Sequence, residues 1–366
     1  MEPINILVTL PNDTMGGAEQ YLNMITRYFA KQNCAIYVLF LKKQNDNGWQ
    51  NLEDYDNVHL RYTNSSSEKK GIWLFFRHLI SLRKISFEYI FTSHVHLTGM
   101  VGLFVRLGLL KKRYFIGRES TSIFLRFKGL KLAMFKLQYW MGYSAVDLLI
   151  CQTQFMKEQL VNAIPWLEKK TRIVIIPNPI NLDAMNPGEM DKDELRLYGN
   201  FIVSAGRLIP EKGYDMLISV FARIKKQFPH LKLLILGEGK KRAELTALIQ
   251  EMELTGDVFL PGFANNVYKY FKYAELCVVS SRIEGFPNVL LQMMSQNDKV
   301  VSTKCAGGIE DIEGVITADT HNEESLENAM LAALGNDTKE NRSTFDKQLK
   351  ERSLDRFIEK IHENLS

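Results

Sequence analysis

The feature that most constrains the fold is an alternation of short apolar runs with amphipathic segments along the 366-residue chain. Short apolar runs between polar residues are typical of strands buried on both faces. The strand-like runs of the first half are Ile4–Thr9, Ala35–Leu41, Val58–Tyr62, Tyr89–Ser93, Tyr114–Gly117, Asp147–Cys151 and Arg172–Ile176. The helical segments between them are Ala18–Ala30, Gly71–Leu82, Gly99–Leu109, Leu130–Met141 and Gln154–Ala163. This order predicts a parallel sheet covered on both faces.

The alternation stops at Pro177-Asn178-Pro179, and the polar stretch that continues to Asp193 predicts a linker. It then restarts, with predicted strands at Phe201–Ala205, Leu231–Leu236, Val258–Leu260, Leu276–Ser280, Lys299–Ser302 and Val315–Thr317. The predicted helices of this second series are Tyr214–Gln227, Lys240–Glu251, Pro287–Ser295, Glu323–Leu334 and Leu354–Leu365.

Two such series predict two doubly wound, Rossmann-like α/β domains, residues 1–180 and 181–350, facing an interdomain cleft. We expect the C-terminal helix, residues 351–366, to pack back on the N-terminal domain.

Composition and short motifs limit the cellular compartment and the protein classes that this chain fits. The four cysteines are scattered and form no CxxC pair, which favours buried free thiols in a reducing compartment. The N-terminus lacks the basic start and apolar stretch of a signal peptide, and no apolar run is long enough to span a bilayer. A cytoplasmic location is therefore expected, with the inner face of the plasma membrane as a further option. The absence of a GxxxxGK[ST] motif argues against a P-loop NTPase.

Charge is unevenly distributed. Residues 1–183 hold 23 lysines and arginines against 14 acidic residues, whereas residues 184–366 hold 23 against 28. The tract 118–140 combines basic and aromatic side chains, which suits contact with an anionic membrane surface at up to about 1 kcal/mol per basic residue. Its cations do not form one clean helical face, so a solvated, partly packed helix is the alternative. No nucleic-acid partner is expected.

Glycines and charges follow several predicted strands. Gly16 and Gly17 lie between the first strand and the first helix, where backbone N–H groups can approach an anion; an ordinary turn with positive φ is the alternative. In SAGRLIPEKG, Arg207 and Lys212 suit a diphosphate, although both can also be solvated loop charges. In SSRIEGFPNVLLQMM, Glu284 can accept hydrogen bonds from sugar hydroxyls, whereas a capping glutamate would explain Glu284 alone.

The segments GGAE, GRLIPEKG, IEGFPNVLLQMM and CAGGIED, in this order, resemble family 4 retaining glycosyltransferases of the GT-B fold, of the bacterial polysaccharide or glycolipid type. The resemblance implies an acceptor-binding first domain and a second domain that binds a nucleotide-diphosphate sugar, the donor. It implies transfer of a hexose-type sugar from a UDP- or GDP-sugar to a glycan or lipid-linked acceptor. No cofactor is implied.

The resemblance also assigns roles to residues. Arg207 and Lys212 would neutralise the donor diphosphate, and Glu284 and His94 would contact the donor sugar. Backbone groups of Gly16 and Gly17 would lie on the phosphate side. The remaining candidates are Gly285, Phe286 and Pro287 in the donor loop and, more weakly, Arg118, Glu119 and His96 on the acceptor side.

One position departs from the family pattern. The second acidic residue, which usually binds the ribose hydroxyls, is replaced by Gln292. This substitution supports the main alternative, a non-catalytic nucleotide-sugar-binding homologue that stabilises or regulates a partner. An epimerase or phosphorylase of the same architecture is a third hypothesis, which the EGFP and GRLxxxKG combination disfavours.

Metal chemistry is not expected. The DxD triplets at Asp54–Asp56 and Asp191–Asp193 fall in a polar loop and in the predicted linker, where we expect surface residues. His94 and His96 lack a third and fourth ligand nearby. Arg207 and Lys212 can supply the positive charge that a metal ion would bring to the leaving group, which predicts a metal-independent enzyme.

Overall fold

The computed structural model describes residues 4–44, 47–63, 68–120, 123–336 and 340–365. The chain divides into two compact units: unit 1 comprises Met1–Pro179 with Leu354–Ser366, and unit 2 comprises Ile180–Ser353. Each unit contains its own parallel sheet with helices around it. Thr121 and Ser122, within the predicted basic-aromatic tract, lie outside the described residues.

Unit 1 contains a seven-stranded sheet. Its strands are β1 (Asn5–Leu10), β2 (Ala35–Phe40), β3 (Val58–Tyr62), β4 (Ser86–Thr92), β5 (Lys111–Arg118), β6 (Leu148–Cys151) and β7 (Arg172–Ile175). They are parallel and follow the order β3-β2-β1-β4-β5-β6-β7. The helices that precede the linker are α1 (Gly17–Ala30), α2 (Glu68–Ser81), α3 (Val95–Arg106), α4 (Ile123–Arg126), α5 (Gly129–Gly142) and α6 (Gln154–Ala163).

Unit 2 contains a six-stranded sheet. Its strands are β8 (Phe201–Ala205), β9 (Lys232–Leu236), β10 (Val258–Gly262), β11 (Leu276–Val279), β12 (Val300–Thr303) and β13 (Ile316–Ala318). They are also parallel, in the order β10-β9-β8-β11-β12-β13. Its helices are α7 (Lys192–Tyr198), α8 (Tyr214–Gln227), α9 (Arg242–Glu251), α10 (Tyr268–Tyr273), α11 (Asn288–Met294), α12 (Glu323–Gly335) and α13 (Asn341–Lys350).

The last helix, α14 (Leu354–Leu365), belongs to unit 1. Its apolar side chains Phe357, Ile358 and Ile361 are buried in the same cluster as residues of α1 and β1, and the Phe357 ring meets Tyr21 edge-on at 5.6 Å. Burial of this apolar face is what holds a short terminal helix in place.

The predicted pair of doubly wound α/β domains is confirmed. All residues of β6, β8, β11 and β12 are buried, as expected for strands covered on both faces. Strand order reverses between β1 and β4 in unit 1, and between β8 and β11 in unit 2. In open α/β sheets, ligands bind beyond the carboxyl ends of the strands at such reversals.

The predicted linker is not wholly irregular, because α7 lies at its end. Asp191 is the N-cap of α7 and forms a capping box with Glu194, a pattern that the sequence displays as Asp-x-x-Glu. The helices α4, α10 and α13 were also absent from the prediction. The first two have only four and six residues, too few to show a helical period.

Candidate active site

In unit 2, the loops that follow β8 and β11 are joined by hydrogen bonds. The Ser280 hydroxyl donates to the Lys212 carbonyl oxygen at 2.9 Å, and the Arg282 backbone N–H donates to the Glu211 carbonyl oxygen at 2.7 Å. Because β8 and β11 are adjacent at the reversal in strand order, these bonds place the motifs SAGRLIPEKG and SSRIEGFP side by side.

Gly213 allows this close approach. Its φ is +65°, a conformation that other residues rarely adopt. A Cβ atom at this position would also overlap the Ser280 carbonyl oxygen. The last residue of SAGRLIPEKG is therefore a glycine for two independent reasons.

An ion pair strengthens the same junction. The Arg282 guanidinium donates to both carboxylate oxygens of Asp215, at 2.8 and 2.7 Å, and to the Pro210 carbonyl oxygen at 2.9 Å. Although partial burial pushes the pKa of Asp215 upward, the hydrogen bonds from Arg282 outweigh this effect and the pKa is lowered. A bidentate pair of this kind fixes the orientation of both loops.

Lys212 and Glu284 meet at this junction. The Lys212 Nζ atom lies 2.5 Å from Glu284 Oε1, and the Ser281 hydroxyl donates to the same oxygen at 2.8 Å. The two charged side chains are 16% and 19% exposed. The Glu284 backbone N–H donates to the carbonyl oxygen of Cys305, in the loop after β12. A cation and a carboxylate are thus held together at the carboxyl edge of the sheet.

The Arg207 side chain is exposed to solvent. Its guanidinium has no hydrogen bond or ion pair with any residue that the structure describes. The structure therefore pairs Lys212 with Glu284 and leaves Arg207, the other predicted phosphate-binding cation, unengaged.

The predicted donor loop leads directly into α11. Pro287 is the N-cap of this helix rather than its first residue, and Phe286 is buried beneath the Arg352 guanidinium, 5.2 Å from its ring centroid. Gln292, one helical turn further on, donates from its amide Nε2 to the Tyr268 hydroxyl at 3.3 Å. Burial, countered in part by this bond, raises the pKa of Tyr268.

In unit 1, the predicted histidine lies beside the GGAE motif. His94 is the N-cap of α3, directly after β4, and its Nε2 atom is 3.1 Å from Glu19 Oε1. Gly16 is the N-cap of α1 with φ −76°, and Gly17 likewise has no positive φ, so an ordinary positive-φ turn does not explain this glycine pair. The loops after β1 and β4 thus meet at the reversal in strand order.

His96 differs from His94 in its environment. Burial, assisted by the nearby His94, lowers the pKa of His96 to about 4, so the imidazole is neutral at neutral pH. The two rings meet edge-on at 5.9 Å. A neutral ring beside His94 adds no competing charge there.

Arg118 and Glu119, the other two acceptor-side candidates, are buried, at 4% and 3% exposure. Arg118 donates to the Ser93 hydroxyl and to the Asn178 side-chain oxygen, and its guanidinium lies 4.5 Å from the centre of the Tyr21 ring. Burial lowers the pKa of Arg118 to about 10, with Tyr21, Glu19 and Glu119 opposing the shift. The acceptor-side roles of both residues stay predictions.

Glu119 accepts hydrogen bonds from the hydroxyls of Tyr139 and Tyr143, at 2.8 and 3.1 Å. Burial raises the pKa of Glu119 to about 7, although these bonds and the charge of Arg118 lower it. Because both tyrosines belong to α5 and the turn that follows it, a titratable group lies beneath that helix.

The two DxD triplets are surface features. Asp54 and Asp56 are exposed near a turn, and Asp191 and Asp193 are exposed at the start of α7. Among the described residues, no three histidine, cysteine or acidic side chains are grouped as metal ligands would be.

Two family models match the chain. The model of glycosyltransferase family 4 covers residues 15–184, and that of glycosyl transferases group 1 covers residues 188–352. Together these consecutive matches span the loops described above in both units. The chain belongs to glycosyltransferase family 4. Its two Rossmann-like domains form the GT-B fold.

Characterised and uncharacterised relatives agree with this assignment. The chain is 35% identical over 199 residues to the N-acetylgalactosamine-N,N'-diacetylbacillosaminyl-diphospho-undecaprenol 4-alpha-N-acetylgalactosaminyltransferase of Campylobacter jejuni, a match covering 53% of each chain. It is 33% identical over 192 residues to an uncharacterised glycosyltransferase of Methanocaldococcus jannaschii, covering 50% of this chain and 46% of that protein. The matched region is about half the length of these relatives.

Among solved structures, the family 4 glycosyltransferase superposes on Anabaena HepE in complex with UDP-glucose with a TM-score of 0.80. The match covers 99% of each chain at 18% sequence identity, so it establishes the shared fold. In the described part of this glycosyltransferase, no helix is both long and apolar enough to cross a membrane.

Sequence reasoning did not foresee several contacts of the predicted site residues, among them Glu19 beside His94, Ser281 beside Glu284, and Tyr268 beside Gln292. Glu19 and Ser281 lie within the motifs GGAE and SSRIEGFP, but the sequence does not show which side chain each of them contacts. Tyr268 lies 24 residues from Gln292, and nothing in the sequence links the two.

Proposed function

We propose that this glycosyltransferase transfers a hexose-type sugar from a UDP- or GDP-sugar to a glycan or lipid-linked acceptor in surface polysaccharide synthesis, with retention of configuration at the anomeric carbon. The observation that carries the proposal is the pairing of Lys212 with Glu284 at the carboxyl edge of the unit 2 sheet. A cation suits a diphosphate there, and a carboxylate suits sugar hydroxyls.

The proposed chemistry is mainly electrostatic. Arg207 and Lys212 offset the negative charge that develops on the departing diphosphate. Glu284 and His94 orient the sugar, and backbone groups near Gly16, Gly17 and Gly285–Pro287 complete the donor contacts. Arg207 and Lys212 supply the positive charge that a metal ion would otherwise bring, so the proposed reaction is metal-independent. No side chain is assigned as a nucleophile.

Each domain has a proposed role. Residues 181–350 bind the donor, and residues 1–180, with Arg118, Glu119 and His96 on the acceptor side, bind the acceptor. The names of relatives guide the choice of substrates to test. Crystal structures of HepE contain UDP, UDP with glucose, or UDP-glucose, and the Campylobacter relative is named for a diphospho-undecaprenol acceptor.

The proposed site of action is the inner face of the cytoplasmic membrane, reached through α5. This helix exposes Leu130, Met134, Leu137 and Trp140 by 80%, 56%, 54% and 65%. The first three are spaced at i, i+4 and i+7 and therefore share one face of the helix. Lys131 and Lys136 lie on either side of that face, so an apolar stripe has a basic border.

Charge favours an anionic lipid surface over a second copy of the chain. Residues 101–146 contain nine basic residues and one acidic residue, Glu119, which is buried. Two copies meeting through α5 would bring like charges together, whereas an anionic bilayer would attract them.

Vesicle binding tests this use of α5. We expect Leu130→Ser and Trp140→Ser to weaken binding to phosphatidylglycerol vesicles about tenfold, because each removes apolar area that the bilayer would bury. Leu197→Ser, on exposed α7 in unit 2, is the control; an equal loss in all three variants contradicts this use of α5.

Donor screening tests the catalytic proposal. We expect one UDP- or GDP-sugar to raise the melting temperature of the purified chain, because a ligand that binds only the native state stabilises it. The same donor should be turned over with a polyprenyl-diphosphate-linked glycan acceptor in the presence of EDTA. NMR of the product should show the anomeric configuration of the donor. If no donor is bound or turned over, the transferase proposal is wrong.

Gln292 favours a second candidate, a non-catalytic nucleotide-sugar-binding protein that regulates a partner. One result distinguishes the two candidates. The second predicts that a donor raises the melting temperature of the protein but is not turned over with any acceptor. Lys212 and Glu284 remain paired next to α11, and this pairing is why transfer is the favoured proposal.

A further inference from the structure

Glu19 and His94 form a partly buried pair in unit 1. Glu19 lies in the first turn of α1 and is 8% exposed, while His94 caps α3. The distance between Glu19 Oε1 and His94 Nε2 is 3.1 Å. The two helices follow β1 and β4, the adjacent strands at which strand order reverses, so the pair lies where ligands of such sheets bind.

Gly16 leaves room for this carboxylate. The backbone of Gly16 has φ −76°, which any residue can adopt, so conformation does not explain the glycine. A Cβ atom on residue 16 would lie 2.6 Å from Glu19 Oε2. A larger residue would therefore displace the carboxylate that faces His94, and the first glycine and the glutamate of GGAE act as one unit.

The second ring nitrogen of His94 is also distinctive. Its Nδ1 atom is buried and has no hydrogen-bond partner among the described residues. In a neutral imidazole one nitrogen carries the hydrogen and the other is an acceptor, and the partner of one nitrogen decides which. A carboxylate only accepts hydrogen bonds, so Glu19 selects the form in which Nε2 carries the hydrogen and Nδ1 keeps its lone pair.

We propose that Glu19 is a positioning residue that fixes the ring and the tautomer of His94, so that Nδ1 accepts a hydrogen bond from a hydroxyl of the donor sugar. The identity of that hydroxyl-bearing ligand rests on the proposed function; the pairing and the tautomer do not. A buried carboxylate behind the ring holds it in one orientation, which lowers the entropy lost when the sugar binds.

The first experiment observes His94 directly. The full chain carries ¹³C,¹⁵N-labelled histidine, and a His94→Ala sample identifies the resonances of His94 among the seven histidines. We expect the neutral imidazole of His94 in the Nε2–H tautomer. Glu19→Gln should produce a mixture of tautomers, because an amide can donate as well as accept. Glu88→Gln, which removes the partly exposed carboxylate paired with Arg113 in the same unit, should change nothing at His94.

The second experiment measures turnover with the donor found by screening. We expect Glu19→Gln to lower kcat about 10- to 100-fold, with a smaller change in KM, because the sugar still binds but is held less accurately. In the His94→Ala background, Glu19→Gln should have no further effect, since Glu19 acts through that ring. Gly16→Ala should resemble Glu19→Gln in both experiments.

Three results would overturn the proposal: an Nδ1–H tautomer in the wild type, an unchanged tautomer in Glu19→Gln, or losses of kcat that add in the double variant. If instead the tautomer behaves as expected and no donor is turned over, the proposed function and the sugar contact fail while the Glu19–His94 pairing stands.

Discussion

Lys212 Nζ lies 2.5 Å from Glu284 Oε1, so the cation expected at the donor diphosphate and the carboxylate expected at the donor sugar bind each other. The two motifs that supply them are 72 residues apart and meet because β8 and β11 are neighbours. A bound donor would replace this ion pair, with its diphosphate contacting Lys212 and its sugar hydroxyls contacting Glu284. Neither partly buried charge would then be left without a polar partner.

Removing the cation should impair transfer. We expect Lys212→Ala to lower kcat/KM about 100-fold, the usual effect of losing one group that stabilises charge in the transition state. Lys240→Ala, an exposed lysine after β9, is the matched control and should stay within about twofold of wild type. Steady-state kinetics with the identified donor decides; equal rates for Lys212→Ala and Lys240→Ala would show that the site is assigned to the wrong residue.

Restoring an acidic residue at position 292 should tighten donor binding. A carboxylate can accept from two ribose hydroxyls at once, whereas the amide has one acceptor oxygen. The gain is about 1–2 kcal/mol, so we expect Gln292→Glu to lower KM roughly tenfold with little change in kcat. The Tyr268 hydroxyl lies 3.3 Å from the Gln292 amide, so it can donate a hydrogen bond to the new carboxylate and compete there with the ribose hydroxyls.

Calorimetric titration of the donor into Gln292→Glu, alone and combined with Tyr268→Phe, separates the two effects. Tighter binding only in the double variant would show that Tyr268 captures the carboxylate. Unchanged or weaker affinity in both variants would contradict the proposed contact with ribose.

Glu119 should make stability depend on pH. Burial raises the pKa of Glu119 to about 7, against about 4.3 for a glutamate in an unfolded chain. Between these values the native state holds a proton that the unfolded state has released. The free energy of unfolding therefore falls as pH rises from about 4.3 to about 7, by roughly 4 kcal/mol in total.

Glu119→Gln, which cannot ionise, should lose this part of the slope. Urea denaturation of both proteins between pH 5 and pH 8 measures it. The comparison matters because His96, whose pKa is lowered to about 4, acts in the opposite direction and raises stability as pH rises toward 6.5. Since both proteins contain His96, only the Glu119 contribution differs, and parallel profiles would contradict the prediction.

Gly213 should tolerate no side chain. Gly213→Ala introduces a methyl group at φ +65° and against the Ser280 carbonyl oxygen, and we expect a loss of more than about 2 kcal/mol in the free energy of unfolding. Gly108 is the control, because its φ is +69° but the space around its Cβ position is open. Gly108→Ala should cost only the backbone contribution, about 1–2 kcal/mol. Equal losses in chemical denaturation would mean that the close approach of the two loops contributes nothing.

Much of the architecture was predictable because its signal is local. A strand buried on both faces must be apolar throughout, and β8 and α8 begin and end where their sequences predict. The polar stretch up to Asp193 was predicted as a linker, and the residues between it and β8 were assigned no element, yet α7 forms across this boundary with Asp191 as its cap. Its signal was the capping pattern rather than hydrophobic periodicity.

The candidate site was predictable in part. Arg207, Lys212, Glu284 and His94 stand at the ends of predicted strands, so their positions in the sequence were sufficient to single them out. The contacts of Lys212 with Glu284 and of His94 with Glu19 were not predictable, because each joins residues that are distant in the chain. The burial of Arg118 was not predictable. A basic residue within a basic tract is expected at the surface, but Arg118 is buried against Tyr21.

The amino-acid sequence by itself determined two alternating series of strands and helices, the glycines and charges at their junctions, and the family motifs, because each depends on residues close together in the chain. Tertiary structure alone decided that Lys212 binds Glu284, that Glu19 faces His94, and that Gln292 meets Tyr268. Strand order brings these pairs together, and strand order follows from how whole helices and strands pack rather than from any short segment.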